Sequence, residues 1–516
     1  MGKARGVVAA GHQLTAEAAA EVLRAGGNAF DAVLAALMVA CVAEPVLGSP
    51  GGGGFLLARP AGRQPRVYDF FVQTPAVRQP ALNLDFRPIL ADFGAVTQEF
   101  HIGHGTVAVP GLVRGLFDIH GDLGTLPITE IVAQAVGHAK NGIKVTPFQA
   151  YLFRVVSATF TATEACHRIF RSANDAAALV GEGETLRQPE LADMLETLAI
   201  EGDGLFYRGE IAAAIASDMQ TGGQITREDL AAYAVERRGP LTLDYHGVRI
   251  HTNSPPSSGG LLIAFGLKLL ESMDVKELGL ATCAYLDTLT HVIGATAEAR
   301  VAAGDRTGLN SGQMLDDAFL ARYRDEIAGR AASRRGTTHM SVIDGDGNLA
   351  SLTVSNGEGS GYVVPATGIV MNNMLGEEDL NPGGFQRWPE GHRMTSMMAP
   401  TLLEWPDGGT AALGSGGSNR LRTAILQVLL NLVDFKLPVE EAVQAPRVHY
   451  ENALLSIEGG FDAEGLGPLL DAFPDHHLWE ERNMFFGGVH TVSATKKAMQ
   501  GAGDLRRGGI SVVCDE

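Results

Sequence analysis

The sequence predicts an α+β fold in which helices and strands share one core. After a few strands at the start, helical patterns fill most of the first two-thirds of the chain, and strand patterns dominate from Thr337 onwards. No low-complexity linker separates the two parts, and the sequence contains no internal repeat. We therefore expect one sandwich of sheets and helices rather than separate domains.

The amino-terminal part predicts strands around two helices. Thr15 is expected to cap a helix over 16–24, because a threonine hydroxyl accepts N–H bonds at helix starts. A second helix over 28–42 is apolar on nearly every side, which indicates a buried helix. Apolar or β-branched runs predict three strands, at residues 7–10, 55–58 and 66–75.

The middle of the chain is predicted to be mostly helical. Residues 76–106 show no regular period and are expected to be irregular. Pro110 is expected at the start of the next helix, and helical patterns then continue to about residue 330. The exceptions are two strands, a turn and the helix that follows the turn, at residues 241–244, 248–251, 255–260 and 261–273.

The part after Thr337 predicts a sheet. Residues 339–343 and 349–355 have the pattern of strands, and residues 344–348 form a tight hairpin between them. Four more strands and one helix are predicted, at residues 368–372, 401–404, 410–413, 510–514 and 421–433.

Composition restricts the partners. The 516 residues carry a net charge of −19, which disfavours nucleic acid and anionic membranes as partners. The four cysteines lie far apart, so neither a zinc site nor a disulfide framework is expected, and we predict no cofactor and no metal. The longest apolar run, 32–43, is too short to span a bilayer, and no apolar signal segment precedes residue 7. The expected location is cytoplasmic.

Thr337 is the candidate nucleophile. It follows a polar, arginine-bearing run over 330–336 and directly precedes a strand. A threonine hydroxyl needs a base within reach, and an N-terminal threonine supplies one in its α-amine, whose pKa is roughly 7.7–8. The same hydroxyl can attack the carbonyl of Gly336, where the absent side chain reduces crowding. The hypothesis is that the chain is cut before Thr337.

A simpler interpretation is that Thr337 and Thr338 only open a strand, as β-branched residues often do. No competing catalytic centre is evident, because the sequence holds neither a Gly-x-Ser-x-Gly elbow nor an obvious metal-binding cluster.

Several motifs together resemble the γ-glutamyltransferase (γ-glutamyltranspeptidase, glutathione hydrolase) family. They follow the family's order over nearly the whole chain, at residues 26–32, 51–55, 109–111, 255–260, 337–344, 372–373 and 414–418. The resemblance implies an N-terminal-nucleophile hydrolase fold of four layers, αββα. It also implies autocleavage into a large subunit, residues 1–336, and a small catalytic subunit, residues 337–516, which remain together as a heterodimer in one globular fold.

The implied chemistry is a ping-pong transfer through an acyl-enzyme. The donor is a γ-glutamyl amide such as glutathione, and the acyl group passes to water or to an amino acid or peptide. Thr337 would be nucleophile and base, and Ser355 would support its hydroxyl where the family has threonine. Gly416 and Gly417 would form the oxyanion hole with their backbone N–H groups.

The recognition residues match the family less closely. Thr395 and Ser396 correspond to a serine pair that holds the substrate's α-carboxylate, and Glu377 is the candidate for the α-amine. Gly357 stands where the family has asparagine, so Asn356 beside it is the substitute candidate.

Phe71 stands where the family has the arginine that grips the α-carboxylate. A carboxylate without a bidentate partner binds less well, so Arg393 or Arg420 would have to supply the missing cation. Alternatively, Phe71 indicates a more apolar acyl group, as in related acylases. Three hypotheses follow: a γ-glutamyltransferase-type enzyme, an amidase or acylase with another acyl preference, and an unprocessed chain that only binds a ligand or partner.

Overall fold

The predicted mixture of helices and strands is confirmed. A computed structural model describes residues 4–92, 97–302, 314–316, 319–321, 323, 337–381 and 383–515. Its helices are α1 (Gln13–Arg24), α2 (Ala29–Ala43), α3 (Leu112–Leu123), α4 (Ile128–Asn141), α5 (Pro147–Val155), α6 (Ser157–Phe160), α7 (Glu164–Phe170), α8 (Pro189–Glu201), α9 (Gly204–Tyr207), α10 (Glu210–Asp218), α11 (Arg227–Ala232), α12 (Ser258–Leu270), α13 (Cys283–Ala302), α14 (Arg420–Val433), α15 (Val439–Gln444) and α16 (Gly467–Ala472).

The strands are β1 (Gly6–Ala10), β2 (Gly53–Arg59), β3 (Arg66–Phe70), β4 (Arg87–Asp92), β5 (Thr97–Ile102), β6 (Ile143–Lys144), β7 (Thr185–Leu186), β8 (Glu236–Arg238), β9 (Leu241–Tyr245), β10 (Val248–Thr252), β11 (Thr338–Asp344), β12 (Leu349–Ser355), β13 (Thr401–Glu404), β14 (Thr410–Gly416), β15 (Val448–Glu451), β16 (Leu454–Ile457), β17 (His476–Leu478), β18 (Gly488–Ala494), β19 (Met499–Ala502) and β20 (Ile510–Cys514). Among the described residues, no helix combines the length and the apolar character needed to cross a membrane.

Two large antiparallel sheets organise the molecule. The first has the order β20-β1-β11-β12-β2-β3-β8, and the second has the order β19-β18-β14-β13-β10-β9. Strand β11 is central in the first sheet, where Val342 pairs with Val8 on one side and Ala350 on the other. Strands β11 and β12 contact β14 of the second sheet. The residues that follow Thr337 therefore lie inside the sandwich.

Helices contact the two sheets separately. Helices α1 and α2 lie against β11 of the first sheet, whereas α14 contacts β14 and β18 of the second. All fifteen residues of α2 are buried, as predicted, because this helix also packs against α1 and α4. Asn28 begins α2 by accepting N–H bonds from Phe30 and Asp31.

Several local predictions were wrong. The first helix begins at Gln13 with His12 as its cap, so Thr15 lies inside the first turn and its hydroxyl donates to Glu44 instead. The stretch predicted to be irregular contains the hairpin of β4 and β5, whose inward side chains Phe100 and Ile102 alternate with more exposed ones. Residues 368–372 form isolated bridges to Val363 and Gly51 rather than a strand. Strands β15 to β19 went unpredicted, and β18 matters most because it borders β14.

Candidate active site

Thr337 lies at the entrance of β11, in the interior of the sandwich. Only 5% of the residue is exposed, and it lines a narrow pocket with a cavity volume of about 30 Å³. Gly336 and the polar run 330–336, on which the predicted cut depends, lie outside the described residues. The pocket is lined by Phe71, Thr337, Ser355, Met374, Glu377, Leu380, Ser396, Met397, Met398, Ser418 and Leu421. Five of the residues predicted from the sequence are thus brought together here.

Ser355 meets Thr337 because of the register between β11 and β12. Thr338 pairs with Val354, and one step further along the same register Thr337 lies opposite Ser355. The tight hairpin therefore explains why two residues eighteen positions apart meet in one pocket. The Ser355 hydroxyl oxygen accepts the Gly357 N–H at 3.0 Å, which fixes the side chain at the strand end. Asn356 is fully buried beside it and is not part of the pocket lining.

Gly416 ends β14 directly against Thr337. A methyl group added at Gly416 would lie 2.1 Å from the Thr337 carbonyl oxygen, so only glycine permits this approach. Gly417 has φ +121°, a conformation that side chains disfavour. The glycine pair thus adjoins the Thr337 backbone, although the next residue, Ser418, is the one that lines the pocket.

Two polar side chains enter the pocket from irregular segments. Glu377 is 4% exposed, and a methyl added at the neighbouring Gly357 would lie 2.1 Å from a Glu377 carboxylate oxygen. Gly357 has φ +63°, a conformation that favours glycine. Ser396 is fixed through its carbonyl, which accepts from the Ser257 hydroxyl and the Ser258 N–H, each at 2.8 Å. Thr395 is half-buried and lies outside the lining.

Phe71 forms an apolar wall of the pocket, and Arg393 lies behind it. The Phe71 ring stacks on Phe55 with 5.4 Å between centroids. The Arg393 guanidinium donates to the Phe71 carbonyl, lies 3.5 Å from Asp69 and covers the Tyr233 ring at 4.7 Å. Arg393 is thus engaged by this cluster and is not among the lining residues.

Arg420, the other predicted cation, is also directed elsewhere. Its Nε donates to the Phe485 carbonyl at 3.1 Å, and the guanidinium lies 4.5 Å from the Phe485 ring centroid. Within the described part of the chain, the pocket lining contains no arginine or lysine.

Arg507 is a site residue that the sequence reasoning missed. Its Nη1 donates to the Thr337 carbonyl at 3.2 Å, and only 3% of the residue is exposed. Burial lowers the pKa of Arg507 to about 10, against the opposing charges of Asp504 and Glu44. Asp504 in turn pairs with Arg447 at 2.8 Å. The signal available in the sequence was the pair Arg506 and Arg507, which follows Asp504 and precedes strand β20.

Two neutral histidines lie between the sheets near this arginine. His339 bonds the hydroxyls of Thr353 and Ser341 at 2.7 and 2.8 Å, and burial lowers its pKa well below the usual value. The His490 Nδ1 accepts the Asp504 N–H at 3.1 Å, and burial lowers the pKa of His490 to about 4. The described residues contain no group of three His, Cys, Asp or Glu side chains arranged to hold a metal ion.

Comparisons with known proteins give one family model, which matches nearly the whole chain, and similar hydrolases and acylases. Residues 15–514 match the family model described as gamma-glutamyltranspeptidase. The chain is 30% identical to the glutathione hydrolase proenzyme of Pseudomonas aeruginosa, over 98% of this chain and 94% of that protein. It is 32% identical to the acylase ACY 1 proenzyme of Pseudomonas sp. (strain V22), over 88% and 84%. The crystal structure of the cephalosporin acylase from Bacillus halodurans aligns with a TM-score of 0.86 at 25% identity, over 99% and 96%.

Proposed function

This chain belongs to the γ-glutamyltranspeptidase family, and on that premise we propose that it is an enzyme that breaks amide bonds with Thr337 as its nucleophile. The observation that carries the proposal is the pocket in which Thr337 and Ser355 meet while Gly416 abuts the Thr337 carbonyl. We propose that these two hydroxyls act together with the backbone N–H groups of the adjoining glycines, since a nucleophile and preorganised N–H donors are the components of acyl transfer.

The proposed maturation uses the same hydroxyl. Thr337 Oγ attacks the carbonyl carbon of Gly336, its proton passes to the Thr337 nitrogen, the C–N bond breaks, and an ester joins the two parts. Water then hydrolyses this ester, which leaves residues 1–336 with a carboxylate and residues 337–516 with a free α-amine. The names of the similar proteins support this step, because both the glutathione hydrolase and the acylase are called proenzymes. The two fragments are proposed to remain associated as one heterodimer.

In the proposed turnover the Thr337 α-amine takes the hydroxyl proton while Oγ attacks the substrate amide. The N–H groups of Gly416 and Gly417 stabilise the oxyanion, and each such donor is worth roughly 3–4 kcal/mol. The amine then returns the proton to the leaving nitrogen, and an acyl ester on Thr337 remains. Water or the amine of an amino acid or peptide attacks this ester and regenerates the hydroxyl. Ser355 supports the Thr337 hydroxyl throughout.

Two acyl groups are candidates. The first is the γ-glutamyl group of glutathione-like amides, supported by the similarity to a glutathione hydrolase, with Glu377 facing the α-amine and Ser396 facing the α-carboxylate. The second is a non-glutamyl, more apolar acyl group, as the similarity to acylases suggests. A specific observation favours the second candidate, because Phe71 and three methionines line the pocket and the described lining offers no cation to a carboxylate.

We also infer the four-layer αββα arrangement. It is supported by the contacts of α1 and α2 with the first sheet, of β11 with β14 between the sheets, and of α14 with the second sheet.

Intact-mass analysis and an anilide panel test the proposal. We expect the wild-type protein to give two fragments, and Thr337→Ala to remain a single inactive 54.4 kDa chain. Thr337→Ser, which keeps a hydroxyl, is the matched control and should still be cut. The cleaved enzyme should then be compared on γ-glutamyl anilide and on anilides of apolar acids.

Each result decides between the hypotheses. A wild-type chain that stays intact refutes the nucleophile proposal and favours a chain that only binds a ligand. A Thr337→Ala protein that is still cut and active also refutes it. Cleaved enzyme that turns over apolar acyl anilides but not γ-glutamyl anilide selects the second acyl candidate.

A further inference from the structure

A buried carboxyl group contacts the residue next to the nucleophile from the helical side of the sheet. Glu44 follows the last turn of α2 and is only 1% exposed. Its two carboxylate oxygens accept hydrogen bonds from Thr15 and Thr338, each at 2.8 Å. A carboxylate in such a place is costly to bury unless it is bonded, so these hydroxyls stabilise it where it lies.

The space around this carboxyl is shared by several polar groups. A methyl added at Gly11 would lie 3.0 Å from a Glu44 oxygen, 3.1 Å from the Thr338 hydroxyl and 3.3 Å from His490 Nε2. Burial raises the pKa of Glu44, while the hydroxyl bonds and the charge of Arg507 oppose the rise. Because Arg507 also donates to the Thr337 carbonyl, the strand start is contacted by both a carboxyl group and a guanidinium.

We propose that Glu44 is a positioning residue that orients the nucleophile Thr337 by holding the hydroxyl of Thr338. The inference rests on the function proposed above. We call Glu44 and Thr338 the Glu44 anchor.

The geometry of a strand explains how the Glu44 anchor acts. Successive side chains point to opposite faces, so Thr338 is directed toward the helices while Thr337 is directed into the pocket. Holding the Thr338 side chain fixes the peptide unit that also carries the Thr337 carbonyl. A rotation of this unit would move the Thr337 hydroxyl relative to Ser355, which lines the same pocket.

The second hydrogen bond to the Glu44 carboxylate supplies a matched control outside the anchor. Thr338 and Thr15 each give one hydroxyl to the same buried carboxylate at the same distance, but only Thr338 is joined to the nucleophile. Thr338→Val and Thr15→Val therefore remove equivalent hydrogen bonds with little change in shape. Thr338→Ser keeps the hydroxyl and tests rescue. Thr338→Ala, which leaves room for water on the carboxylate, replaces Thr338→Val if that variant does not fold.

The rate of self-cleavage, kcat and KM on the best anilide, and the thermal unfolding midpoint are measured for each variant. We expect Thr338→Val to lower kcat and the cleavage rate roughly tenfold at unchanged KM, since small misplacements of reacting groups are costly. The kcat of Thr15→Val should stay within about twofold of the wild-type value. Its thermal unfolding midpoint should fall by as much as that of Thr338→Val. Thr338→Ser should restore kcat.

The outcomes separate this inference from the function on which it rests. If Thr338→Val and Thr15→Val have equal kcat while the wild-type protein is cleaved and active, the positioning role of Glu44 is overturned and the proposed function stands. A Thr338→Val enzyme with a raised KM and an unchanged kcat overturns that role as well. An uncleaved, inactive wild-type protein overturns both the proposed function and the anchor.

Discussion

Replacing Gly416 by alanine tests the contact on which the proposed catalytic geometry depends. The new methyl would lie 2.1 Å from the Thr337 carbonyl oxygen and 2.9 Å from Arg507 Nη1, whereas real contacts of this kind are essentially never below 3.0 Å. Strand β14 and Thr337 must therefore separate by about 1 Å, and a misplacement of that size costs about 100-fold in rate. This factor corresponds to about 2.7 kcal/mol in the activation barrier.

The choice of Gly416 isolates packing from backbone strain. Gly416 is not in the left-handed region, whereas Gly417 is, so alanine at 416 adds only a steric contact. In the proposed mechanism the same nucleophile acts in self-cleavage and in turnover, so both rates should fall together.

The assay is kcat on the best anilide, together with the fraction cleaved by intact mass over time. Gly137→Ala is the control, because a methyl there meets nothing within 4 Å inside helix α4. Removing a helical glycine should stabilise the protein by up to about 1 kcal/mol at unchanged kcat. A folded Gly416→Ala enzyme that is cleaved normally, with kcat within about threefold of wild type, would falsify the proposed geometry.

Two further predictions concern the pocket wall and the response to pH. Phe71→Ala should lower the free energy of unfolding by about 3–5 kcal/mol, because the ring is buried and stacked. It should also raise the turnover of bulky acyl anilides relative to small ones. An unchanged ratio of these two rates would argue against Phe71 as a wall of the pocket. Burial lowers the pKa of His490 from its ordinary value of 6.5 to about 4 in the folded protein. As pH falls, the unfolded chain therefore binds a proton at this residue before the folded chain does. The stability that is present above pH 6.5 is lost as the pH falls towards 4. The loss should reach about 3 kcal/mol in urea titrations, and the same pH slope in His490→Gln would contradict this assignment.

The parts of the site that depend on local geometry could be predicted from the sequence. Thr337 and Ser355 meet because a tight hairpin joins two strands, and both the hairpin and the strands have clear local patterns. The all-apolar pattern of α2 likewise predicted its burial. Local patterns were misleading where a more distant partner determined the structure. Thr15 was predicted to cap a helix, but its hydroxyl instead donates to Glu44, a buried acceptor 29 residues away that no local pattern reveals.

The contacts that complete the site join residues far apart in the chain, and composition and periodicity carry no signal for them. Arg507 reaches Thr337 from 170 residues away, and Arg393 reaches Phe71 from 322 residues away. The family resemblance identified Phe71 as unusual, but the location of Arg393 behind the wall, rather than inside the pocket, required the tertiary structure.

The proposed catalytic and recognition groups are held by different kinds of structure, which explains how one can vary while the other is kept. Thr337, Ser355 and Gly416 lie at strand ends, where the ladders of two packed sheets fix their relative positions. Glu377 and Ser396 come from irregular segments, which can change with little effect on the sheets. We therefore expect a change in these segments or at Phe71 to alter which acyl group fits without moving Thr337. On this reasoning, acyl specificity in this chain should be read from its loops and chemistry from its sheets.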